Sequence, residues 1–382
     1  MRIIVSGGGT GGHIYPALSI AEALRRRGAE VLFVGSEGGM EREIVPRAGW
    51  AFRGVSAAPL TGRLPLSYLV AGRNLLRGAR EASALISDFR ADAVVGTGGY
   101  AAASTVTAAL MRRMPVVIHE QNAVPGRTNR CLGRIASRVA VTFPGTERYF
   151  PKGRTVLTGL PIRPDMTTAD DGEGRRLFGL RPDSRVLLVH GGSQGAVALN
   201  RAVLGAVADL LKSGLEVVHL TGHRGYEEVL QTSGELVHQG YHPMPYTEDI
   251  RYAYACADLV LGRAGASTLA ETTAWGLPMI LVPYPWACSD HQTANAVAMA
   301  DAGAAEWVRD RDLTPAEVVE RVTRLMADDE TRSRMAAASE RVGRTSADER
   351  VADLVCDALG RPYVVGAPKS PAASPSRALP KR

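Results

Sequence analysis

The residues best suited to chemistry form a glycine-rich segment near the start of the chain, GGGTGGH, from Gly7 to His13. The strand-like segment RIIVSG precedes these glycines, and an amphipathic, helix-like segment follows them. Glycines in this position let backbone N–H groups at a helix start point at a phosphate. The segment therefore indicates an anion site, although a tight turn without a ligand fits the same residues.

Two common phosphate chemistries are disfavoured around these glycines. A dinucleotide-binding segment requires an acidic residue about 20 positions later, and none is clearly placed. The GK[ST] ending of an ATP-binding loop is also missing from the sequence. We therefore expect neither NAD binding nor ATP hydrolysis.

His13 is the predicted general base. A free imidazole has a pKa of about 6.5, which suits proton abstraction at neutral pH. The positive end of the following helix would keep the ring neutral, as a base requires. The alternative is a helix-capping histidine that only contacts the phosphate.

A second glycine turn, GTGGY, runs from Gly96 to Tyr100 and ends another strand-like segment. The segment MPVVIHEQN then brings four polar residues together at its carboxyl end: His119, Glu120, Gln121 and Asn122. Carboxyl ends of parallel strands face one crevice, where such sheets bind ligands. The two turns are therefore expected to share a ligand with two linked phosphates.

The second half of the chain contains a similar set of residues. GGSQGA, from Gly191 to Ala196, repeats the glycine turn, and Ser193 can bond a phosphate oxygen. RAGASTLAE ends at Glu271, whose carboxylate can accept both hydroxyls of a ribose, as carboxylates in nucleotide sites do. The alternative for Glu271 is an exposed charge on a helix.

A further polar segment, PYPWACSDHQTANA, follows a strand-like stretch. Asp290 is a candidate N-cap, and Gln292 and Asn295 lie one helical turn apart, where they could face the hydroxyls of a sugar. The only DxD motif, Asp310 to Asp312, lies in a charged connector and is expected to be solvated. We predict no metal site.

The elements that must position these residues alternate between short apolar runs and amphipathic segments. That alternation predicts an α/β fold with parallel sheets covered by helices. RIIVSGGGTGGHIYPAL and RVLLVHGGSQGAVALN echo each other and imply two Rossmann-like domains. We place these domains at residues 1–160 and 161–345, followed by a helix at 346–360 that could pack back on the first domain, and by a disordered basic tail at 361–382.

The amino-acid composition narrows the class of protein and its partners. The 382 residues are 45% hydrophobic and 22% charged, which is the balance of a globular protein. Aromatic residues make up only 5%, so the net charge of +6 favours a polyanionic or phospholipid partner over nucleic acid. Neither a spanning helix nor a signal peptide is expected. The four cysteines are scattered, without zinc-ligand spacing, and are expected to be buried, reduced thiols.

Six motifs come in the order and spacing of the MurG family: GGGTGGH, GTGGY, HEQN followed by Gly126 and Asn129, GGSQGA, RAGASTLAE and DHQTANA. The chain closely resembles that family of peptidoglycan glycosyltransferases over about residues 1 to 360. The resemblance implies a GT-B fold, in which two Rossmann-like, doubly wound parallel-sheet domains face a cleft. It also implies inverting transfer of GlcNAc from UDP-GlcNAc to the 4-hydroxyl of MurNAc-pentapeptide on undecaprenyl pyrophosphate (lipid I), giving lipid II. UDP-GlcNAc would be a co-substrate, and no cofactor is expected.

The resemblance also assigns contact residues. Donor contacts are expected at Thr10, Gly11, Gly12, Asn122, Arg163, Ser193, Ala266, Ser267, Thr268, Leu269, Ala270, Glu271 and Gln292. Acceptor contacts are expected at Gly8, Gly9, His13, Gly98, Gly99, Tyr100, Glu120 and Asn122. The chain departs from many relatives at Trp286, where a histidine often stands.

A lipid-linked acceptor implies a peripheral position at the cytoplasmic face of the membrane, with anionic lipid and cell-wall synthesis proteins as partners. Residues 62–80 mix leucines with arginines, as in a basic amphipathic helix on anionic lipid. The alternative is a helix that packs its leucines on the sheet. Other functions stay open: a GT-B transferase for another glycolipid or a natural product, a non-catalytic UDP-GlcNAc-binding paralogue, and a UDP-GlcNAc epimerase.

Overall fold

The structure is a computed structural model that describes residues 1–57, 65–192 and 195–361. The side chains of residues 65–71 also lie outside the described part. Three predictions therefore concern undescribed residues: the donor contact at Ser193, the basic tail beyond residue 361, and the leucines before residue 72.

In the first described half, parallel strands form a seven-stranded sheet in the order β3-β2-β1-β4-β5-β6-β7. These strands are β1 Arg2–Gly7, β2 Glu30–Ser36, β3 Phe52–Val55, β4 Ala93–Gly98, β5 Val116–Glu120, β6 Arg138–Val141 and β7 Thr155–Leu157. The helices are α1 Gly11–Arg26, α2 Glu41–Arg47, α3 Pro65–Phe89, α4 Gly99–Met111 and α5 Arg127–Leu132. The strand order reverses between β1 and β4, where such sheets bind ligands.

In the second half, a six-stranded parallel sheet has the order β10-β9-β8-β11-β12-β13. Its strands are β8 Arg185–His190, β9 Leu215–Leu220, β10 Tyr241–Met244, β11 Leu259–Gly262, β12 Met279–Leu281 and β13 Ala305–Trp307. The helices are α6 Asp171–Phe178, α7 Val197–Lys212, α8 Tyr226–Ser233, α9 Ile250–Cys256, α10 Ala266–Ala274, α11 His291–Asp301, α12 Pro315–Ala327, α13 Asp329–Val342 and α14 Ala347–Ala358. The α/β prediction of two doubly wound parallel sheets is confirmed.

Helices cover both faces of each sheet, which explains the continuous apolar runs in the strands. In β1, Ile3, Ile4 and Val5 are fully buried, and they divide between two cores on opposite faces of the sheet. Since neighbouring strand residues point to opposite faces, both sides must be apolar. The glycine turns follow directly from these rigid strands.

The helix α14 returns to the first sheet after the chain has completed the second. Its residues Val351 and Val355 are fully buried in the core that contains β1 and α1. At its start, Arg26 bonds Asp348 at 2.7 Å and Arg27 bonds Glu349 at 2.7 Å. This helix therefore stabilises the first domain.

Two sequence expectations are wrong here. Cys256 and Cys356 are buried, but Cys131 and Cys288 are exposed, because they lie on a short surface helix and in the loop before α11. Asp310 is only partly exposed and pairs with Arg263 at 2.5 Å, whereas Asp312 is exposed as expected. None of the helices described here is long and apolar enough to cross a membrane.

Candidate functional site

A cavity of about 420 Å³ lies between the two halves of the chain. Ser289 and His291 line it from the second half. Six of the eight predicted acceptor contacts line it from the first half: His13, Gly98, Gly99, Tyr100, Glu120 and Asn122. The structure thus brings together residues that are as far apart in sequence as His13 and His291.

The first glycine turn joins β1 to α1. Gly9 has φ +82°, and its N–H donates to Oε2 of the buried Glu41 at 3.0 Å. Neither Gly8 nor Gly9 lines the cavity. By contrast, Gly11 and Gly12 begin α1, where backbone N–H groups have no acceptor within the helix. The capacity to bind an anion therefore rests on Gly11 and Gly12 rather than on Gly9.

His13 is held through its Nδ1 atom. Its Nδ1 lies 2.9 Å from the carbonyl oxygen of Thr97, and the Thr97 hydroxyl donates back to the His13 carbonyl at 2.8 Å. Because a carbonyl only accepts, Nδ1 carries the proton and Nε2 keeps its lone pair. Burial lowers the pKa of His13, although its bonds to Thr97 and Gln121 oppose that shift. The ring is therefore a neutral base at neutral pH.

The second glycine turn, between β4 and α4, packs directly against the first. Gly98 and Gly99 have φ +104° and +82°, which favour glycine. A Cβ on Gly99 would lie 2.2 Å from the Gly8 carbonyl oxygen, and one on Gly98 would lie 3.0 Å from Cε1 of His13. The two turns therefore pack against each other at one edge of the sheet, and side chains there would force them apart.

Of the four polar residues that end β5, only Glu120 and Asn122 line the cavity. His119 is fully buried with Nε2 2.9 Å from the Gly159 carbonyl, and burial lowers its pKa to about 4. Gln121 donates to the Thr97 carbonyl at 2.5 Å. The expectation that all four residues form the site is therefore wrong, because alternate strand residues point to opposite faces.

The carboxylate of Glu120 organises the loop after β5. It accepts from the N–H of Asn122 at 2.9 Å, from the N–H of Gly126 at 3.2 Å and from Asn129 Nδ2 at 2.9 Å. Burial raises its pKa, and these hydrogen bonds act against that increase. Both oxygens thus have protein partners, and Glu120 holds the loop in place beneath the cavity.

On the opposite side, Glu271 lies on α10, whose first turn is the predicted diphosphate site. The hydroxyl of Tyr254 donates to Glu271 Oε2 at 3.2 Å, and burial raises the pKa of Glu271 to about 7. The alternative of an exposed helix charge is wrong. The charge of Arg163 lowers the pKa of Glu271, which places these two predicted donor contacts near each other. The side chain of Leu269 packs into the core, so only its backbone can reach a ligand.

The segment around α11 departs from its predicted roles. Asn295 is fully buried and does not face a sugar: it accepts from the Ala123 N–H at 2.9 Å and donates to Asn122 Oδ1 and the Ala264 carbonyl, both at 3.1 Å. Its face of α11 packs between the two halves. Asp290 precedes α11, but its carboxylate accepts from the Thr293 hydroxyl at 2.6 Å instead of capping a backbone amide.

Gln292 directly follows His291, which lines the cavity. Its Oε1 accepts from the Tyr284 N–H at 2.9 Å and so holds the loop that precedes α11. This bond leaves its amide N–H groups available to a ligand.

Sequence reasoning missed Glu41, Thr97, His190 and Tyr254. Each supports a predicted site residue from behind, and each lies far from that residue in the chain. No local motif in the sequence predicts the backbone carbonyls and buried acids that support the site. Glu41 follows the strand β2 within the segment SEGGMER, which was the one available signal for a further turn at the same sheet edge.

The sequence matches the models of two domains. Residues 3–141 match the glycosyltransferase family 28 N-terminal domain, and residues 186–352 match the glycosyltransferase family 28 C-terminal domain.

The described residues include no group of three or more His, Cys, Asp or Glu side chains that could hold a metal ion.

Curated relatives match over nearly the whole chain. The UDP-N-acetylglucosamine–N-acetylmuramyl-(pentapeptide) pyrophosphoryl-undecaprenol N-acetylglucosamine transferase of Halothermothrix orenii is 40% identical over 94% of this chain and 99% of its own. The transferase of the same name from Moorella thermoacetica is 43% identical over 93% and 98%.

Solved structures agree. The MurG of Acinetobacter baumannii is 30% identical, with a TM-score of 0.77 over 93% of this chain and 99% of its own. The calicheamicin glycosyltransferase CalG4 has a TM-score of 0.70 over 94% of this chain and 98% of its own, but at 21% identity it shows the fold alone.

Proposed function

Because the chain belongs to the MurG family of GT-B glycosyltransferases, we propose that its cleft transfers GlcNAc from UDP-GlcNAc to the 4-hydroxyl of MurNAc-pentapeptide on undecaprenyl pyrophosphate. The chain is a UDP-GlcNAc-dependent transferase of peptidoglycan synthesis that converts lipid I to lipid II. The observation that carries this conclusion is the match, at 40% identity and over 94% of the chain, to a transferase of that name. The cavity between the two halves supplies the place for the reaction.

His13 is the base in this mechanism. Its unprotonated Nε2 takes the proton from the acceptor hydroxyl as that oxygen bonds to the anomeric carbon of GlcNAc. The bond from the anomeric carbon to the diphosphate oxygen breaks, and the configuration inverts because attack and departure occur on opposite sides. UDP leaves with the bonding electron pair toward the first turn of α10 at Ala266, where helix N–H groups stabilise the growing charge.

The remaining contacts divide between the two substrates. Glu271 accepts the ribose hydroxyls, with Arg163 beside it, and the amides at the start of α10 take the diphosphate. Thr10, Gly11 and Gly12, at the start of α1, contact the donor from the first domain. The acceptor diphosphate lies against the second glycine turn, at Gly98–Tyr100. None of these contacts requires a metal ion.

The test is incubation of the protein with UDP-GlcNAc and a short-chain lipid I analogue, with product mass as the readout. We expect one added GlcNAc. Binding of UDP-GlcNAc without transfer would instead identify a non-catalytic binder, and UDP-ManNAc formed without acceptor would identify an epimerase. Transfer only to unrelated acceptors would identify a different GT-B enzyme.

His13→Ala tests the base assignment. We expect about a 10²- to 10⁴-fold loss in kcat, the usual contribution of a general base, with little change in the calorimetric affinity for UDP-GlcNAc. His238→Ala, at an exposed histidine of the second domain, is the control and should match the native protein. Equal losses in binding and turnover for His13→Ala would refute the role of base.

The acceptor's lipid leads us to place the protein at the cytoplasmic face of the membrane, with α3 as a contact. Leu75 and Leu76 are 36% and 59% exposed, and Arg73 and Arg77 beside them are exposed. Ala79 and its neighbours one turn on face the core instead. An exposed apolar and basic helix face of this kind binds anionic lipid.

Vesicle flotation tests this placement. The native protein should float with vesicles that contain phosphatidylglycerol and much less with neutral vesicles. Leu76→Glu should reduce flotation severalfold, because a carboxylate would meet the anionic surface. Leu177→Glu, at an equally exposed leucine of α6, is the matched control. If both variants float as the native protein does, α3 is not the contact.

A further inference from the structure

His190 is a buried histidine that has no part in the mechanism above. It ends β8, directly before Gly191, and is 8% exposed. Its Nδ1 accepts from the N–H of Gly192 at 3.2 Å, and its Nε2 lies 3.3 Å from the hydroxyl oxygen of Thr268. One imidazole thus joins the glycine turn after β8 to the first turn of α10.

The proton positions follow from these two contacts. A backbone amide can only donate, so Nδ1 is unprotonated and the neutral ring carries its proton on Nε2. Nε2–H therefore donates to the Thr268 oxygen, and the hydroxyl proton of Thr268 is directed away from the imidazole. Burial lowers the pKa of His190 to about 4, so the ring keeps this arrangement at neutral pH.

A second buried side chain supports the next turn of the same helix. The rings of His190 and Tyr254 meet edge to face, with centroids 6.3 Å apart and planes at 76°. The Tyr254 hydroxyl donates to Glu271 at 3.2 Å. Thr268 and Glu271 are three residues apart and share a helix face. His190 and Tyr254 thus hold two polar side chains on one face of α10.

We propose that His190 is a positioning residue for the diphosphate of UDP-GlcNAc, because it aims the Thr268 hydroxyl at that group and fixes the turn at Gly192. This inference rests on the proposed function, since it takes the start of α10 as the diphosphate site. The imidazole itself does not touch the substrate. Its contribution is to hold a donor in place before the ligand arrives, which lowers the entropy lost on binding.

Two substitutions separate the contacts of His190. The side-chain amide of His190→Gln reaches as far as Nε2 and can still donate to Thr268. His190→Asn reaches only as far as Nδ1 and can still accept from Gly192. His190→Phe fills a similar volume but makes neither bond. We expect the KM for UDP-GlcNAc to rise about tenfold in His190→Phe, within the range expected for one to two lost hydrogen bonds, with a smaller change in kcat. His190→Gln should recover most of this loss and His190→Asn only part of it.

Thr268→Val tests the coupling. If His190 acts through Thr268, the combined His190→Phe and Thr268→Val variant should be no worse than the poorer single variant. His219→Phe is the control. His219 is another buried histidine, it lies on β9, and its Nδ1 is 2.8 Å from the hydroxyl oxygen of Tyr241. This control substitution should lower the unfolding temperature without a specific rise in the KM for UDP-GlcNAc.

Binding of UDP-GlcNAc, measured by calorimetry without acceptor, keeps this inference separate from the proposed reaction. Native protein that binds the donor but transfers nothing would overturn the proposed reaction. The affinities of the His190 variants for UDP-GlcNAc could still be compared in that case. Native protein that binds no UDP-GlcNAc would overturn both. Additive effects of His190→Phe and Thr268→Val would refute the positioning role, as would an unchanged donor affinity in His190→Phe. His190→Gln, His190→Asn and Thr268→Val keep the test decisive if His190→Phe does not fold.

Discussion

Glu271→Gln is expected to stabilise the second domain above neutral pH while it weakens the donor site. Burial raises the pKa of Glu271 from 4.5 to about 7 in the folded protein. Between these two values the folded protein holds a proton that the unfolded chain has released, so its stability falls as the pH rises. At about 1.4 kcal/mol per pH unit, the destabilisation above pH 7 is on the order of 3 kcal/mol. A glutamine has no charge to bury, and it can still accept from Tyr254.

Thermal unfolding at pH 5 and pH 8 measures this effect. A domain of 150–250 residues gains about 2–4 °C in unfolding temperature per kcal/mol. The transition of the second domain in Glu271→Gln should therefore exceed that of the native protein by roughly 6–12 °C at pH 8, and by much less at pH 5. Glu320→Gln, at an exposed glutamate of α12, should match the native protein at both pH values.

The affinity for UDP-GlcNAc should change in the opposite direction, because an amide cannot accept both ribose hydroxyls as a carboxylate does. An unfolding temperature that is unchanged or lowered at pH 8 would refute the claim that Glu271 is a desolvated acid. So would a difference between the variant and the native protein that does not depend on pH.

Three further predictions concern the first domain and its contact with the second. Because burial lowers the pKa of His13, the acid limb of the kcat profile should have its midpoint below about 6.5; a midpoint above 7 would contradict a buried base. Asn295→Asp replaces an amide donor with a carboxylate that faces two buried oxygen acceptors. It should therefore lower kcat/KM by roughly 10- to 10³-fold and increase the radius of gyration in small-angle scattering; unchanged values would show that the bridge is dispensable. Gly99→Ala places a Cβ 2.2 Å from the Gly8 carbonyl at φ +82°, so activity should fall at least tenfold; near-native activity would mean that the two turns can separate freely.

Much of the fold could be predicted from the sequence. The apolar runs and the echo between the segments that contain His13 and Gly191 predict two doubly wound sheets, and both are present. This signal is strong because strands covered on both faces must be apolar throughout. The glycine turns were also identifiable, since a strand, a Gly-rich turn and a helix start are adjacent in sequence.

The supporting contacts could not be predicted in the same way. Glu41 bonds the N–H of Gly9 at 3.0 Å, and Asn295 bonds the N–H of Ala123 at 2.9 Å. The first pair is separated by 32 positions and the second by 172. Such pairs arise from the packing of whole elements, and no spacing rule reaches them. The error at His119 is different, because the alternation of side chains along β5 already places His119 and Glu120 on opposite faces of the sheet.

The bridge at Asn295 joins the acceptor side of the cleft to the donor side. Glu120 accepts from the Asn122 N–H at 2.9 Å, the Asn122 side chain accepts from Asn295 at 3.1 Å, and Asn295 donates to the Ala264 carbonyl two residues before α10. Asn122 is therefore positioned by both domains at once. A change in the angle between the domains must break these bonds or carry the loop after β5 with it. Since an unpaired buried polar group costs about 1–3 kcal/mol, separate movement of this loop is disfavoured. The loop and the start of α10 should consequently open and close as one unit.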